Sequence, residues 1–163
     1  MRVRPALIGA LCALGLTFAA AAPAVAAPDT TTIVLVQGIP VISQLSTEAV
    51  GQTGHSFAFE ADLSTPAGKR AGVVAGVVLT VDVALDGVID ESRHRNLVFR
   101  LKGGQLVAQG LSFYPAANAE LAAKRPAMVA IVGGTGAYIG ASGEVRTTRQ
   151  ADGTYRHVIT LVW

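Results

Sequence analysis

The chain has 163 residues, of which 51% are hydrophobic and 15% are charged. This length holds one domain with a sizeable core, and the composition excludes a disordered chain, which would combine low hydrophobicity with high charge. The 18 glycines follow no three-residue period, which excludes a collagen-like fibre, and the formal net charge is only +2.

The N-terminal segment has the parts of a secretory signal peptide. Arg2 and Arg4 form a short basic start, an apolar run covers residues 6–22, and the small residues of Ala24-Val25-Ala26 fit a cleavage site. A transmembrane anchor is the alternative, but the run is short and rich in alanine rather than leucine. We therefore predict a cleaved signal peptide over residues 1–26 and a secreted, extracellular protein of bacterial type.

Cleavage changes the charge and the available chemistry of the chain. The predicted single domain, residues 27–163, has 137 residues with 11 basic and 11 acidic side chains, so its formal charge is about zero. We expect no nucleic-acid partner and no membrane contact after cleavage, because the mature chain has no excess of basic residues to bind nucleic acid or an anionic membrane. Cys12 lies within the signal, so the mature chain has no cysteine for disulfides, nucleophilic catalysis or thiolate metal sites.

The mature chain consists of apolar or alternating segments separated by turn residues. The predicted strands are residues 33–36, 56–63, 71–85, 96–101, 105–113, 127–132, 142–149 and 155–162. Gly103-Gly104 and Asp152-Gly153 are predicted hairpin turns, and Asn118–Lys124 is the one helical candidate, a short capping helix or a loop. Evenly spaced strands with at most one short helix predict an all-β fold, either a closed barrel or a sandwich.

The strand predicted at residues 71–85 is apolar on both faces. Its odd-numbered positions from Val73 to Leu85 are all apolar, and its even-numbered positions become polar only at Thr80 and Asp82. In a barrel one face fills the interior, and a helix about 10 Å long is too short to cover the other. We therefore predict that a second subunit covers the outer face, in a homodimer or homotrimer.

Three segments resemble the allene oxide cyclase and dirigent superfamily, in the order found in that family. They are residues 50–82 with Val50-Gly51, Phe57-Ala58-Phe59 and Gly68–Gly76, then Gly103–Gly110, then Ala130–Gly143. The resemblance implies an eight-stranded antiparallel β-barrel that holds a reactive apolar substrate and restricts its conformation, without a cofactor. Allene oxide cyclases close a fatty-acid epoxide, dirigent proteins orient radicals or quinone methides, and similar bacterial barrels cyclise polyketides. Members are commonly dimeric or trimeric.

The functional residues of that superfamily carry over only in part. Val78 stands where plant allene oxide cyclases have a cysteine, and Gln37 could take the place of their first-strand asparagine. Dirigent arginines are missing near Val73 and Ser142, and Glu60 alone remains of an adjacent acid pair. The resemblance thus implies the scaffold and assigns no catalytic residue.

The predicted site is a substrate pocket inside the barrel, with the catalytic residues unknown. Its predicted substrate-binding residues are Gln37, Phe57, Phe59, Val78, Thr80, Phe99 and Tyr114. Aromatic and apolar members would form walls and polar members would orient the ligand, whereas plain core and rim positions are the alternatives. Further polar candidates for the barrel mouth are Asp82, Gln109, Ser112 and Tyr138.

Two other motifs favour structural interpretations. The glycine-rich segment Gly133–Gly140 lacks the third glycine and the chain length of a dinucleotide-binding fold, so a tight connection between strands is favoured. Glu60 and Asp62 share a strand face about 7 Å apart, as a paired acid site would, but we expect a solvated outer face opposite Phe57 and Phe59.

The histidines predict no metal site. His55, His94 and His157 lack metal-ligand spacing, and we expect them at the surface or at strand ends. A serine triad is disfavoured as well, because the sequence contains no G-x-S-x-G elbow.

Three functions stay open at this point. We expect a secreted barrel that binds a small apolar molecule and steers its cyclisation or isomerisation without a cofactor, and whether it is an enzyme stays open. The alternatives are a non-catalytic barrel for a lipid or secondary metabolite and a solid barrel with a structural role. A cavity of roughly a few hundred Å³ with an acid or amide at its floor would favour the first function, and an apolar cavity the second.

Overall fold

The computed structural model describes residues 29–82, 90–115, 118 and 120–163. The strands are β1 (Thr30–Gln37), β2 (Val41–Gln44), β3 (Ser56–Ser64), β4 (Arg70–Asp82), β5 (Asp90–Leu101), β6 (Gly104–Pro115), β7 (Pro126–Gly134), β8 (Ser142–Arg149) and β9 (Tyr155–Val162), with a 3₁₀ turn at Gly136–Tyr138. Within these residues no helix is long and apolar enough to cross a membrane. The predicted signal peptide lies outside the described residues.

The strands close into an antiparallel barrel. Hydrogen-bonded neighbours follow the order β1-β9-β8-β7-β6-β5-β4-β3-β2, and β1 also pairs with β3 through Val36↔Ser64 and Gln37↔Leu63. β2 pairs with the same neighbour, β3, so β1 and β2 form one strand interrupted at residues 38–40. Pro40 suits this interruption because proline has no N–H for a ladder. The predicted eight-stranded antiparallel barrel is confirmed.

Side-chain alternation decides which face of each strand is inside. Phe57, Ala61 and Leu63 of β3 are buried, whereas Glu60 and Asp62 on its other face are exposed. Asp62 forms an exposed ion pair, its Oδ1 lying 3.3 Å from Nη2 of a β4 arginine. The solvated outer face predicted for the two acids is confirmed, and they form no interior acid pair.

β4 turns its even-numbered side chains inward. Val74, Val78 and Thr80 are buried, whereas Val77 and Leu79 on the outer face are 42% and 37% exposed. The predicted apolar outer face is therefore present in the described part of β4. Residues 83–85, which the sequence placed in the same strand, and the Asp82 side chain lie outside the described part.

One predicted element needs correction, and one pair of alternatives is decided. β5 begins at Asp90 rather than near residue 96, because its first half is charged and lacks the apolar alternation by which strands are recognised. The described residues of Asn118–Lys124 contain no helix, and Ala123 forms an isolated bridge with Arg149, so this segment is the loop of the two alternatives. β2, with four exposed residues, was not predicted.

The glycine-rich segment after β7 is a tight connection, as predicted. Gly136 has a φ of 61°, and a Cβ there would lie 2.1 Å from the Gly103 carbonyl oxygen. The segment leads through the 3₁₀ turn into strand β8 and not into a helix, which excludes the dinucleotide-binding interpretation.

One end of the barrel interior, which we call the closed end, is filled with apolar side chains. Its fully buried members include Val74, Leu97, Leu106 and Ile159. Phe99, predicted as a cavity wall, lies in this packed cluster with no exposed surface. This end is solid core, and the predicted cavity has no room there.

Candidate functional site

The other end of the interior, which we call the polar end, contains a pocket of about 30 Å³. The pocket is lined by Gln37, Pro40, Ile42, Phe57, Phe59, Val78, Arg95, Tyr114, Glu120, Leu121 and Tyr155. Five of the seven predicted substrate-binding residues, Gln37, Phe57, Phe59, Val78 and Tyr114, are brought together there. The volume is that of about one water molecule, below the few hundred Å³ that would favour the first of the three functions.

Aromatic side chains form the walls of the pocket. Phe57, Tyr114 and Tyr155 belong to a buried cluster that is separate from the closed end, and Phe59 packs against it. The place of the Phe59 ring depends on Gly76, since a Cβ there would lie 2.7 Å from Phe59 Cε1. A glycine in the middle of β4 thus leaves the space that the ring occupies.

A buried hydrogen-bond chain holds Gln37. His157 Nε2 lies 2.9 Å from Gln37 Oε1, and His157 Nδ1 lies 3.0 Å from Thr147 Oγ1. An amide oxygen only accepts, so His157 Nε2–H donates to it and the Thr147 hydroxyl donates to Nδ1. The Gln37 amide nitrogen is then the group that can donate to a ligand.

His157 is neutral in this chain of hydrogen bonds. Burial, together with the nearby Arg95 charge, lowers the pKa of His157 to about 3. The expectation of a surface or strand-end position is wrong for His157, which is buried within β9 because the alternation of that strand carries it inside. His55 lies at a strand end, as expected, directly before β3, but it is buried there. His94 does lie on the outer face, where it contacts Gln109 at 2.9 Å.

The first half of β5 brings charges into the barrel. Glu91 and Arg93 form a buried ion pair, with Glu91 Oε2 lying 2.6 Å from Nη2 and 3.2 Å from Nε of the arginine. The Arg93 guanidinium also lies 4.5 Å from the centre of the Tyr114 ring. Arg93 is therefore a positioning residue for a pocket wall.

Arg95 differs from Arg93 because it lines the pocket and has no counter-ion. Its side chain is 4% exposed, and within the described residues it forms no ion pair. Its Nε and Nη1 atoms have no hydrogen-bond partner there either. A guanidinium is charged at any physiological pH, so the polar end contains a buried positive charge that no described residue neutralises.

The loop before β7 covers the pocket. Leu121 is 4% exposed and packs into the aromatic cluster, and Glu120 forms an ion pair with Arg149. Arg149 also hydrogen-bonds Tyr155, and burial, with the Glu120 charge nearby, raises the pKa of Tyr155 to about 12. The Tyr155 hydroxyl is thus neutral. The loop that covers the pocket is held in place by the packing of Leu121 and by the Glu120–Arg149 ion pair.

The remaining candidates lie elsewhere. Thr80 and Ser112 are buried beside Arg93, their hydroxyls lack partners among the described residues, and neither lines the pocket. Gln109 faces outward, and the Tyr138 hydroxyl donates to the Lys102 carbonyl oxygen at 3.4 Å, away from the pocket. Their roles as site residues are not supported by this placement.

The sequence contained a signal for the residues that were missed. Leu97 and Phe99 are apolar at alternate positions, and the same alternation continued backwards places Arg95, Arg93 and Glu91 on the inner face. Tyr155 and His157 follow in the same way from Ile159. The charges concealed this pattern, because charged residues are rarely buried.

The described residues offer a site of hydrogen-bond donors rather than a metal centre. They contain no cluster of three or more histidine, cysteine or acidic side chains. Arg95, the Gln37 amide and the tyrosine hydroxyls can polarise a ligand oxygen, while the aromatic walls fix an apolar body. The one carboxylate at the pocket, Glu120, is held by Arg149. This arrangement suits positioning and oxyanion stabilisation.

Comparisons with known proteins support the fold. No protein-family model and no curated protein matches the chain. A pyocyanin demethylase structure is similar with a TM-score of 0.64 and 23% identity, covering 80% of this chain and 99% of the other. An exo-specific intermolecular Diels-Alderase is similar with a TM-score of 0.60 and 16% identity, covering 83% and 99% of the two chains.

A dirigent protein is also among the similar structures. The structure of a pterocarpan synthase dirigent protein is similar with a TM-score of 0.56 and 16% identity, covering 82% of this chain and 84% of the other. The chain has the same broad kind of barrel fold as these structures, a dirigent protein among them. At these identities the likeness concerns the fold, and the chemistry has to be argued from the pocket.

Proposed function

We propose that this barrel binds a small, largely apolar molecule in the pocket at its polar end and steers its cyclisation or isomerisation without a cofactor. The observation that carries the proposal is the convergence of aromatic walls with hydrogen-bond donors at one end of an otherwise filled barrel. Such a site restricts conformation, excludes water and stabilises charge on a substrate oxygen. The similar Diels-Alderase and dirigent barrels support this class of function.

A substrate larger than one water requires the cover to move. Leu121 enters the pocket from the loop before β7, and Ile42 lines it from β2, which pairs with only one neighbour. Both are side chains on short, peripheral segments, so their displacement leaves the closed end intact. We therefore expect Leu121→Ala to enlarge the pocket and to speed ligand entry, with Ile139→Ala, an exposed residue outside the pocket, as control.

The decisive experiment uses the fact that the substrate and the product of an isomerisation have the same molecular mass. Purified protein is incubated with a small-molecule extract of its producer, and liquid chromatography with mass spectrometry follows the compounds. We expect one compound to decline while another of the same molecular mass appears, and Gln37→Ala and Tyr114→Phe to slow this conversion in folded protein. Normal conversion by both variants would exclude this pocket as the reaction site.

A non-catalytic binding barrel is the second candidate function. It is favoured by the absence of an unengaged acid or base among the described pocket residues, since Glu120 is paired and both nitrogens of His157 are bonded. Native mass spectrometry of protein purified from its producer distinguishes the two functions. A ligand that co-purifies unchanged, with no isomer formed in the extract, would support the binding barrel.

We propose that the protein is exported. Residues 1–26 have the composition of a signal peptide, and the described domain starts shortly after them. N-terminal sequencing of protein from the culture medium should find Ala27 as the first residue. Protein that stays with the cells and keeps Met1 would contradict export.

We also propose that the protein assembles as a homodimer or homotrimer. Exposed apolar side chains lie on the outer faces of β4 and β6, on either side of β5, where Leu79, Val81, Leu111 and Phe113 are each at least 37% exposed. We expect light scattering at micromolar concentration to show an oligomer and Leu111→Glu to dissociate it. A wild-type monomer would contradict the assembly without affecting the pocket.

A further inference from the structure

We propose that the ligand carries one ionised oxygen, a carboxylate or an acidic enol or phenol, on an apolar body, and that Arg95 binds this oxygen. The inference rests on the proposed function, because it requires that the pocket admit a small molecule. It specifies the class of that molecule, which neither the fold nor the aromatic walls determine.

The burial of Arg95 carries the inference. A guanidinium withdrawn from water without a counter-ion costs folding free energy, which no described contact offsets. The group is at the pocket wall, and two of its three nitrogens lack partners among the described residues. An anionic ligand would supply both the missing charge and the missing acceptors.

The surrounding charges leave that place to a ligand. The Glu91 carboxylate is held by Arg93, and the Glu120 carboxylate by Arg149. His157, whose pKa the Arg95 charge helps to lower, is neutral at working pH and supplies no negative charge. One unpaired guanidinium matches a single negative charge, so a monoanion fits the pocket better than a dianion such as a phosphate monoester.

The neighbouring strands leave the guanidinium accessible within the barrel. Arg95 pairs across β5 with Val78 of β4 on one side and with Gly110 of β6 on the other. Gly110 has no side chain and Val78 has a short apolar one, so neither neighbouring side chain provides an acceptor. The walls beyond, Phe57 and Phe59, suit an apolar or aromatic body, and the ligand is therefore an amphipathic acid.

The test uses pairs of probes that share one body and differ in charge. Binding of 1-naphthoate and 1-naphthamide, and of octanoate and octanamide, is measured by isothermal titration calorimetry on the mature protein at neutral pH. We expect each acid to bind ~10–100-fold more tightly than its amide, as charge-assisted hydrogen bonds to a buried arginine predict. Arg95→Gln should abolish this preference by weakening acid binding far more than amide binding, and Arg95→Lys should retain part of it.

Arg100→Gln is the matched control. Arg100 lies on the same strand, exposed on the outer face, so its loss changes the net charge equally without touching the pocket. We expect it to keep the full acid preference, with thermal unfolding showing that all variants are folded. An Arg100→Gln effect equal to that of Arg95→Gln would show general electrostatics and overturn the assignment.

The outcomes separate this inference from the proposed function. Equal binding of acid and amide by the wild type would overturn the role of Arg95 and leave the small-molecule pocket standing. Binding of no probe of either body would overturn the pocket itself, and this inference with it. The wild-type comparison also keeps the test valid if Arg95→Gln does not fold.

Discussion

The two ends of this barrel differ although they share every long strand. At the closed end, β5 contributes Leu97 and Phe99, which have no exposed surface and pack among aliphatic side chains. At the polar end the same strand contributes Glu91, Arg93 and Arg95 to the same interior face. One end therefore stabilises the fold by apolar burial, whereas the other places charges where they cost stability.

This difference indicates that the two halves of β5 have different roles, one in stability and one in the pocket. A fully buried aliphatic or aromatic side chain contributes about 1.5–3 kcal/mol to folding, and the closed end has many of them. A buried arginine without a partner works in the opposite direction. The stability that the closed end contributes can offset this cost, so the polar end can contain residues that serve ligand binding rather than core packing.

The largest expected effect is at the closed end. Phe99→Ala should lower the free energy of unfolding by about 3–5 kcal/mol, because it opens a cavity in packed core. Urea unfolding measures the change, and Val132→Ala, at an exposed outer position, is the control with less than ~0.5 kcal/mol. A loss below about 1 kcal/mol would mean that Phe99 lines a space rather than filling one.

The next effect comes from His157 at the polar end. Its pKa is about 3 in the folded barrel and 6.5 in the unfolded chain, so unfolding takes up a proton between these values and stability falls as the pH falls. Between pH 6.5 and 5.0 this group should cost about 2 kcal/mol. Urea unfolding over this range should show a weaker pH dependence for His157→Gln.

The control for this pH dependence is His94→Gln. His94 lies on the outer face of β5 and contacts Gln109, so its replacement removes a histidine without disturbing the interior. We expect its pH dependence to follow that of the wild type. Equal slopes for His157→Gln and the wild type would contradict a neutral, buried His157.

A smaller effect of opposite sign is expected at Arg95. Arg95→Met should raise the free energy of unfolding by about 1–2 kcal/mol, because it replaces an unpaired buried charge with an apolar side chain of similar length. The same substitution in Arg93, which is paired with Glu91, should destabilise the fold. Destabilisation by Arg95→Met in the ligand-free protein would show that Arg95 has a structural counter-ion.

The smallest effect is expected on the outer face of β3. Asp62→Asn breaks an ion pair with Arg70 in which both side chains are about three-quarters exposed, and such pairs contribute less than ~1 kcal/mol. We expect unchanged probe binding and turnover. A marked loss of either would revive the paired acid site of Glu60 and Asp62.

The architecture followed from the sequence because a strand with one wet face has a period of two. The alternation in residues 56–63 and the continuous apolar run from residue 71 predicted β3 and β4, and the turn residues predicted the hairpins. β2 and the start of β5 did not follow, since a short exposed strand and a charged one carry no apolar period.

Within the site, the sequence predicted walls better than charges. Phe57, Phe59, Val78 and Tyr114 come together at the pocket, but Arg95 and His157 were missed and Phe99 belongs to solid core. The strand alternation places both on the inner face, but a charged or imidazole side chain is ordinarily assigned to the surface, so this signal was set aside.

Alternation and turn chemistry, which are local properties of the chain, determined an all-β fold, and the family resemblance favoured a barrel over a sandwich. Tertiary structure decided which end of the barrel is packed and which is polar, because that depends on strand register. Register sets Arg95 between Val78 and Gly110, away from any carboxylate of the described chain, and leaves His157 between Thr147 and Gln37. Those contacts join residues far apart in sequence, and no local pattern encodes them.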